Sequence, residues 1–386
     1  MDKQVTLSSR FKILTVVLIL IGVAALVTGA FTDSPRFWAN LLLNNYYFLT
    51  VAIGATFWLA IQYVSGSGWS AGFLRIPMAM GTFIPVAAIT MLPILFGAGH
   101  IYHWAHHDAL LDPVIAHKAP YLNMPFFVAR YILFFAAWIL IALLLLRYSR
   151  KEDEKGGLDY FHKAQFLSKV YIFVLAVSFS LSAFDWIMSI DVHWFSTIFA
   201  VRNFAMAFFH GTVIVTLIVI ILNKLGYLPF LNPSHLRDFS KYILVLSMIW
   251  TYMWFAQYIL IWYANIPEET VYYLPRTKGE FKPFFYAELI INFLIPFIPL
   301  LSGKLGSRIK ILVPICIALI IGQWIDLYQQ IFPGTIHHFK IGFIEVGSFI
   351  GFLGLFSLVV GWSLSRTPLI PRRHPYLKEC TEHQRV

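Results

Sequence analysis

The chain has 386 residues, of which 59% are apolar and only 12% are Asp, Glu, Lys or Arg. Soluble domains carry about 25% charged residues, so this chain has too little charge to cover a water-facing surface. A mean hydropathy of +0.72 excludes a soluble enzyme, a disordered chain and a collagen-like fibre. The composition therefore predicts an integral membrane protein.

The formal net charge is +10. In a soluble protein this charge would suggest nucleic-acid binding, but in a membrane protein it usually sets topology, so nucleic acid is not an expected partner. Cys316 and Cys380 are too few and too far apart for a disulfide framework, a zinc site or an iron–sulfur cluster. Any redox metal that this protein serves is expected in another subunit.

Ten apolar runs follow one another along the chain, each of the roughly 20 residues that a helix needs to cross the hydrocarbon core. Alternating strands of a membrane barrel are absent from the sequence, so we predict an all-α fold of ten transmembrane helices. A charged link at 151–157 separates candidate halves at 43–188 and 201–331 of a single membrane domain. The predicted spans are 12–31, 43–64, 76–97, 125–148, 165–188, 201–223, 241–264, 283–303, 310–331 and 342–364. Prolines predict kinks in the third and eighth spans.

An even number of spans places both termini on one side of the membrane. Of the 29 Lys and Arg residues, 21 sort to the side of the termini and 8 to the other. The positive-inside rule therefore predicts cytoplasmic termini. The opposite, outer face carries the long loops 98–124 and 265–282, where we expect partners and chemistry.

Ionisable side chains inside a span cost at least about 2.5 kcal/mol when unpaired at the centre of the bilayer, so each predicts a partner or a function. Glu288, Asp326 and Glu345 lie at similar depth on three successive spans. We expect them to converge on a polar cavity; alternatively, Asp326 and Glu345 face headgroups or another subunit. The ionisable residues predicted in the outer half are Asp185, Arg202, His210, Glu288, Asp326 and Glu345.

A dense polar cluster follows the fifth span. Asp185, Asp191 and His193 lie within nine residues, beside Trp186 and Trp194. One interpretation is that these groups pass protons. The other is that they form a turn at the membrane interface, where the carboxylates are hydrated or cap the next helix. Arg202 is the expected ion-pair partner of Asp185.

His210 is the only histidine well inside a span. A membrane haem of the cytochrome b kind needs two facing histidines at depth, so no haem is expected here. The imidazole is either a satisfied core group or part of a proton relay or quinone site. In the seventh span, aromatic residues and Gln257 either line a slot for a quinone ring or belong to the ordinary core.

The loop from Gly99 to Asn123 contains five histidines. His103 and His107 would share a helical face, but no spacing completes a ligand set, so a metal site there is only a weak alternative. The other interpretation is an amphipathic interfacial helix, anchored by Trp104, whose imidazoles bind a partner protein.

Three stretches of sequence carry a resemblance to a known family: FDWIMSIDVHWFST at 184–197, WYANIPEE at 262–269 and HIYHW at 100–104. Together with the ten spans, they resemble the second, smaller membrane subunit of bacterial alternative complex III. That subunit belongs to the NrfD or polysulfide-reductase membrane-anchor superfamily, and the resemblance extends over nearly all of the chain. It implies two four-helix bundles flanked by the first and last helix.

The resemblance also implies a function, as a subunit without its own redox centre in a respiratory quinol:electron acceptor oxidoreductase of the bacterial inner membrane. Electrons would pass from menaquinol to iron–sulfur and c-type haem subunits on the periplasmic side, beside a larger paralogous membrane subunit and lipids. In such complexes the larger paralogue is assigned the quinol site, and the smaller subunit is a scaffold and proton path. The candidates for proton relay or for contact near quinone are Asp185, Asp191, His193, Arg202, His210, Glu288, Asp326 and Glu345.

Two other functions fit the residues. A proton-coupled secondary transporter is favoured by ten spans, kinked helices and intramembrane carboxylates, although transporter sites lie near the midplane and these residues lie outward. The other is a cofactor-free assembly scaffold of the same complex, in which the buried charges only pair. No catalytic residue is assigned, and the sequence leaves open whether the chain is itself an enzyme.

Overall fold

A computed structural model describes residues 4–384 as helices joined by short loops. Ten helices, or runs of consecutive helices, are long and apolar enough to cross a membrane. The described residues form no β-strand, only a single bridge between Gln4 and Pro368. The predicted all-α membrane fold with ten spans is therefore confirmed.

The helices are numbered in chain order, and several spans consist of more than one helix. The bounds are α1 Ser9–Thr32, α2 Ser34–Ser65, α3 Arg75–Gly81, α4 Ile84–Phe96, α5 Pro113–Lys118, α6 Met124–Lys155, α7 Asp159–Trp186, α8 Ile198–Lys224, α9 Pro233–Ala264, α10 Pro267–Thr270, α11 Leu274–Thr277, α12 Lys282–Leu289, α13 Ile295–Leu300, α14 Gly303–Gly306, α15 Ile309–Thr335, α16 Phe343–Leu364 and α17 Leu377–Thr381.

The central eight spans pack as two groups of four. Helices α2 to α7 form the first bundle, in which α2 contacts α3, α4 and α7, and α6 packs on α7. Helices α8 to α15 form the second bundle, in which α8 contacts α9 and α15. The first and last spanning helices, α1 and α16, pack on each other and against α2. This is the arrangement that the resemblance implies.

A close helix crossing joins the two bundles. A Cβ atom placed on Gly54 of α2 would lie 1.7 Å from the carbonyl oxygen of Ala207 on α8. On the other side of the crossing, a Cβ on Gly211 would lie 2.2 Å from the nitrogen of Ala55. Small residues let membrane helices approach this closely, so the bundles meet backbone to backbone.

Several helices extend beyond the apolar runs seen in the sequence. Helix α2 begins at Ser34, although the predicted span starts at 43. Its polar first half is buried, and the amides of Asn40 and Asn44 each donate to the carbonyl one turn earlier, at 2.8 and 3.0 Å. Paired polar groups of this kind are tolerated inside a bundle, but a search for apolar runs does not detect them.

The eighth span is interrupted, as its prolines predict. A π-helical turn at Ile290–Leu294 connects α12 to α13, which starts beside Pro296. Because proline has no N–H, the carbonyl of Asn292 loses its helical donor. The hydroxyl of Ser247 on α9 replaces it, donating at 2.6 Å. The third span is likewise divided, between Gly81 and Ile84.

The two ends of the bundles differ, and we name them by their connections. The terminal face carries the first and last described residues, and the C-terminal segment around Cys380 packs inward there: Cys380 is fully buried, and its carbonyl accepts a hydrogen bond from Nε2 of His235 at 3.0 Å. His374 is also buried there. The loop face carries the segments 97–123, 187–197, 265–281 and 336–342.

Candidate functional site

The densest buried charges lie in the second bundle near the loop face. Arg202 on α8 donates from Nη2 to Oδ1 of Asp326 on α15. The other carboxylate oxygen accepts from the indole of Trp250 on α9 at 2.9 Å. One turn along α15, Gln330 donates to Oδ1 at 3.2 Å. Asp326 therefore accepts three hydrogen bonds and faces a guanidinium, which explains how a carboxylate is tolerated there.

Glu288 on α12 is the third member of this charge cluster, which we define as Arg202, Glu288 and Asp326. Its side chain is 1% exposed. Oε1 accepts from the indole of Trp254 at 2.5 Å and lies 3.9 Å from Nη2 of Arg202. Oε2 has no hydrogen-bond partner among the described residues. One guanidinium thus faces two carboxylates, and Glu288 is the less fully bonded of the two.

A short polar connection runs from the charge cluster to the loop face. Nη1 of Arg202 donates to the side-chain oxygen of Gln257 at 3.4 Å. The amide nitrogen of Gln257 donates to the hydroxyl of Ser196 at 3.3 Å. Ser196 is half-buried at the loop face, so two side chains separate Arg202 from that surface.

Toward the terminal face, the buried polar side chains of α15 end about one turn beyond Asp326. The amide of Asn292 donates to the carbonyl of Gly322 at 3.0 Å, and Asn292 Oδ1 and both amide atoms of Gln323 have no partner among the described residues. Beyond Gln323, the buried side chains of α15 toward the terminal face are apolar or thiol: Leu319, Cys316, Ile315 and Leu312. On α15 and the π-helical turn, the unpaired polar atoms therefore lie in the half near the loop face.

Asp185 pairs with Arg130, so the prediction that Arg202 is its partner is wrong. The guanidinium of Arg130 on α6 donates from Nε and Nη2 to the two carboxylate oxygens at 2.6 and 3.0 Å. It also lies over the rings of Tyr121 and Phe126, at 4.0 and 4.3 Å from their centroids. Asp185 faces α6 within the first bundle, whereas Arg202 faces the interior of the second.

The segment 187–197, which follows α7, contacts both long loops of the loop face. Asp191 accepts from Arg276 at 3.0 Å, and the same guanidinium donates at 2.8 Å to the carbonyl of Gln329. That carbonyl has no helical donor, because Pro333 stands four residues later. His193 binds Asp112 at 2.6 Å. The imidazole of His193 and the backbone N–H of Val114 lower the pKa of Asp112.

Glu345 does not join Glu288 and Asp326, so the predicted convergence of three carboxylates is reduced to two. It accepts from Nε and Nη2 of Arg36 at 2.9 and 2.5 Å, and from the amide of Asn40 at 3.0 Å. It also accepts from the backbone N–H of Gly342 at 2.8 Å, which caps α16. The full set of bonds and the helix cap are typical of a structural carboxylate.

His210 lies at the junction between the bundles. Its Nδ1 atom is 3.2 Å from the hydroxyl of Thr50 on α2, and its ring packs on Tyr47 with centroids 4.7 Å apart. Nε2 has no partner among the described residues. No other candidate residue contacts this imidazole through a hydrogen bond, so the structure separates it from the charge cluster.

The amphipathic helix expected across the histidine-rich loop is not formed. The loop consists of 3-10 turns and helix α5, and His106 has an extended backbone at φ −74° and ψ 155°. No helical face therefore carries His103 and His107; His103 instead stacks on His106 at 5.2 Å. Trp104 is buried and donates to Ser189 at 3.2 Å. No group of three or more metal-ligating side chains occurs within residues 4–384.

The aromatic residues of α9 divide into two sets. Trp250 and Trp254 face inward and hydrogen-bond the two carboxylates of the charge cluster, and Gln257 bonds Arg202. Tyr252 and Trp262 are exposed. The inward residues therefore orient charged groups. The sequence does not reveal these indoles, or the arginines Arg36, Arg130 and Arg276, as partners, because pairing between distant helices leaves no local signal.

Comparisons with known proteins give no identification. No protein-family model matches the chain, and no curated protein is significantly similar to it. A functional conclusion therefore rests on the geometry of the buried charges and on the motifs quoted above.

Proposed function

We propose that this chain is a membrane subunit of a respiratory quinol:electron acceptor oxidoreductase of the alternative complex III type, in the bacterial inner membrane. It supports quinol oxidation and relays the released protons toward the periplasm, and it has no redox centre of its own. Menaquinol is the proposed electron donor, and iron–sulfur and c-type haem subunits with a larger paralogous membrane subunit are the proposed partners. The positive-inside rule then makes the loop face periplasmic.

The observation that carries this proposal is the surplus carboxylate of the charge cluster. Arg202 neutralises one of its two acids, and burying a second net charge is costly in a membrane interior. Glu288 is therefore the group that takes up and releases a proton, and its free Oε2 is the atom available to hold it. Water beside Gln257 and Ser196, the polar side chains between the charge cluster and the loop face, would carry this proton out, because a guanidinium and an amide keep their own protons.

Local release fits this structure better than pumping across the membrane. A pump needs a polar path through both halves of the bundle and a switch between two states. The buried residues of α15 toward the terminal face, from Leu319 to Leu312, are apolar or thiol, and the buried hydroxyls of Thr212 and Thr216 on α8 donate to carbonyls of their own helix. We therefore propose that protons reach Glu288 from the quinol side of the complex and leave at the loop face.

The alternative of a proton-coupled transporter is less well supported. Transporters place their substrate near the bilayer midplane, where two repeats meet and rock against each other. Here α2 and α8 meet through the backbone contacts of Gly54 and Gly211, which leave no room for a substrate between them. A pure scaffold and the proposed relay differ only in whether Glu288 exchanges a proton. A substitution of Glu288 therefore tests between them.

The experiment begins with gentle extraction of the tagged native protein. We expect it to co-purify with a c-type haem spectrum and an iron–sulfur subunit; a colourless protein that migrates alone would refute membership of the complex. The variant Glu288→Gln should then assemble normally and oxidise quinol at least about tenfold more slowly. Its matched control is Glu268→Gln, an exposed acid of the loop face. Unchanged turnover in Glu288→Gln would favour the scaffold.

A further inference from the structure

Three lysines converge on one tyrosine ring at the terminal face, where α6 ends and α7 begins. The ammonium groups of Lys151, Lys155 and Lys163 lie 5.6, 5.8 and 4.9 Å from the centroid of Tyr160. None of the three forms an ion pair with another described residue. Three positive charges within about 6 Å of one ring centroid raise the local positive potential, which attracts an anion.

A groove of about 450 Å³ opens here and is lined by Lys163, whereas Lys151 and Lys155 approach the Tyr160 ring outside its lining. Tyr148, His162 and Lys163 provide the polar part of its lining. Phe166 and Leu167 provide the apolar part, further along α7 toward the membrane. Its single carboxylate is Asp159, at the start of α7. The lining residues are Tyr148, Asp159, His162, Lys163, Phe166 and Leu167.

An apolar stripe continues from the groove along α7 into the membrane region. Phe166, Phe173 and Val177 are 68%, 76% and 54% exposed. Their spacing of seven and four residues places them on one side of the helix. The groove therefore has a cationic end at the terminal face and an exposed apolar surface that continues along α7 toward the membrane. This combination matches a phospholipid, which has an anionic headgroup and acyl chains, better than a free phosphate.

We propose that this groove binds a phospholipid with two phosphates in its headgroup, of the cardiolipin type. Basic pockets at the membrane surface bind such headgroups. The three ammonium groups outnumber Asp159, the carboxylate of the groove, by two positive charges, which two phosphodiesters balance; Glu154, beside Lys155, forms no ion pair with a described residue. The phosphates lie among Lys151, Lys155 and Lys163, and the acyl chains lie along Phe166 and Phe173. This site is independent of the charge cluster and of the proposed redox function.

The test is native mass spectrometry of the detergent-purified full chain, titrated separately with cardiolipin, phosphatidylglycerol and inorganic pyrophosphate. We expect cardiolipin to bind about tenfold more tightly than phosphatidylglycerol and pyrophosphate. The variant Lys151→Gln, Lys155→Gln, Lys163→Gln should weaken cardiolipin binding about tenfold or more. The matched control removes three exposed lysines elsewhere on the same face: Lys224→Gln, Lys241→Gln and Lys304→Gln.

Three results would overturn the proposal. Equal affinity for phosphatidylglycerol would show that a two-phosphate headgroup is not recognised, and equal affinity for pyrophosphate would identify a phosphate site rather than a lipid site. Equal losses in the two triple variants would show that only overall charge matters. If the first triple variant does not accumulate, Lys163→Gln and Phe166→Ser replace it, and each should weaken cardiolipin binding while Lys304→Gln does not.

Discussion

Oε1 of Glu288 lies 3.9 Å from Nη2 of Arg202, yet the guanidinium makes its hydrogen bonds to Asp326 and Gln257. The two carboxylates of the charge cluster are therefore not equivalent. Asp326 is held by three donors, whereas Glu288 is held by the single indole of Trp254. This asymmetry is the basis for proposing Glu288, rather than Asp326, as the acid that exchanges a proton.

We expect Asp326→Asn to destabilise the protein far more than Glu288→Gln. An asparagine at 326 turns an NH₂ group toward one of three buried donors, at a cost of about 3 kcal/mol. A glutamine at 288 still accepts from Trp254, and its cost should stay below about 1 kcal/mol. Unfolding in mixed micelles titrated with SDS measures both changes. Equal losses in the two variants would contradict the asymmetry.

The pair of Arg130 and Asp185 predicts strong coupling between α6 and α7. Replacing Arg130 with Met leaves a buried carboxylate without its partner, at a cost of about 3 to 5 kcal/mol. The double variant Arg130→Met, Asp185→Leu removes both charges and should recover most of that loss. A double-mutant cycle on the free energy of unfolding gives the coupling directly. Additive losses would mean that the pair does not act as a unit.

The crossing of α2 and α8 predicts a severe effect from a single methyl group. In Gly54→Ala the new Cβ meets the Ala207 carbonyl, which is backbone and cannot move aside. Overpacking of this kind costs about 3 kcal/mol or more. In the control, Gly99→Ala, the nearest atom is 3.9 Å away and folding should be unaffected. Thermal stability in detergent compares the two; a stable Gly54→Ala protein would show that the bundles can separate.

Buried His374 predicts that the C-terminal segment loosens in acid. Burial lowers the pKa of His374 to about 4, below its ordinary value of about 6.5. The unfolded chain therefore binds more protons between these values, so the stabilising contribution is complete above about pH 6.5 and is lost as the pH falls toward 4. Hydrogen exchange of residues 366–384 measures this change. It should be smaller in His374→Phe and unaltered in the exposed control His338→Phe.

The sequence predicts the number of spans well, because each span leaves a run of apolar residues that a bilayer requires. It predicts helix ends poorly where a buried helix is polar. The first half of α2 is an example, since Asn40 and Asn44 are satisfied only inside the bundle. Prolines in the eighth span predict an interruption, but the donor that repairs it, Ser247, lies 45 residues away.

For the candidate site, the sequence identifies the costly residues but not their partners. Glu288 and Asp326 are recognisable in the sequence because they are charged residues deep within predicted spans. In the structure both lie beside Arg202. Asp185 and Arg202 are close in sequence and are the pair that the sequence predicts, yet they face different bundles. Pairing depends on helix rotation, which hydropathy alone does not determine.

The packing of α1 on α16 also constrains the order in which the chain can fold. Gly22 of α1 faces Gly351 of α16 so closely that a Cβ on either would lie 2.3 or 2.4 Å from the Cα of the other. About 310 residues separate the end of one helix from the start of the other. At roughly 5 to 20 residues per second, the ribosome needs about 15 to 60 s to synthesise that interval. During this time α1 resides in lipid without α16, so the contact between these two helices forms late in synthesis.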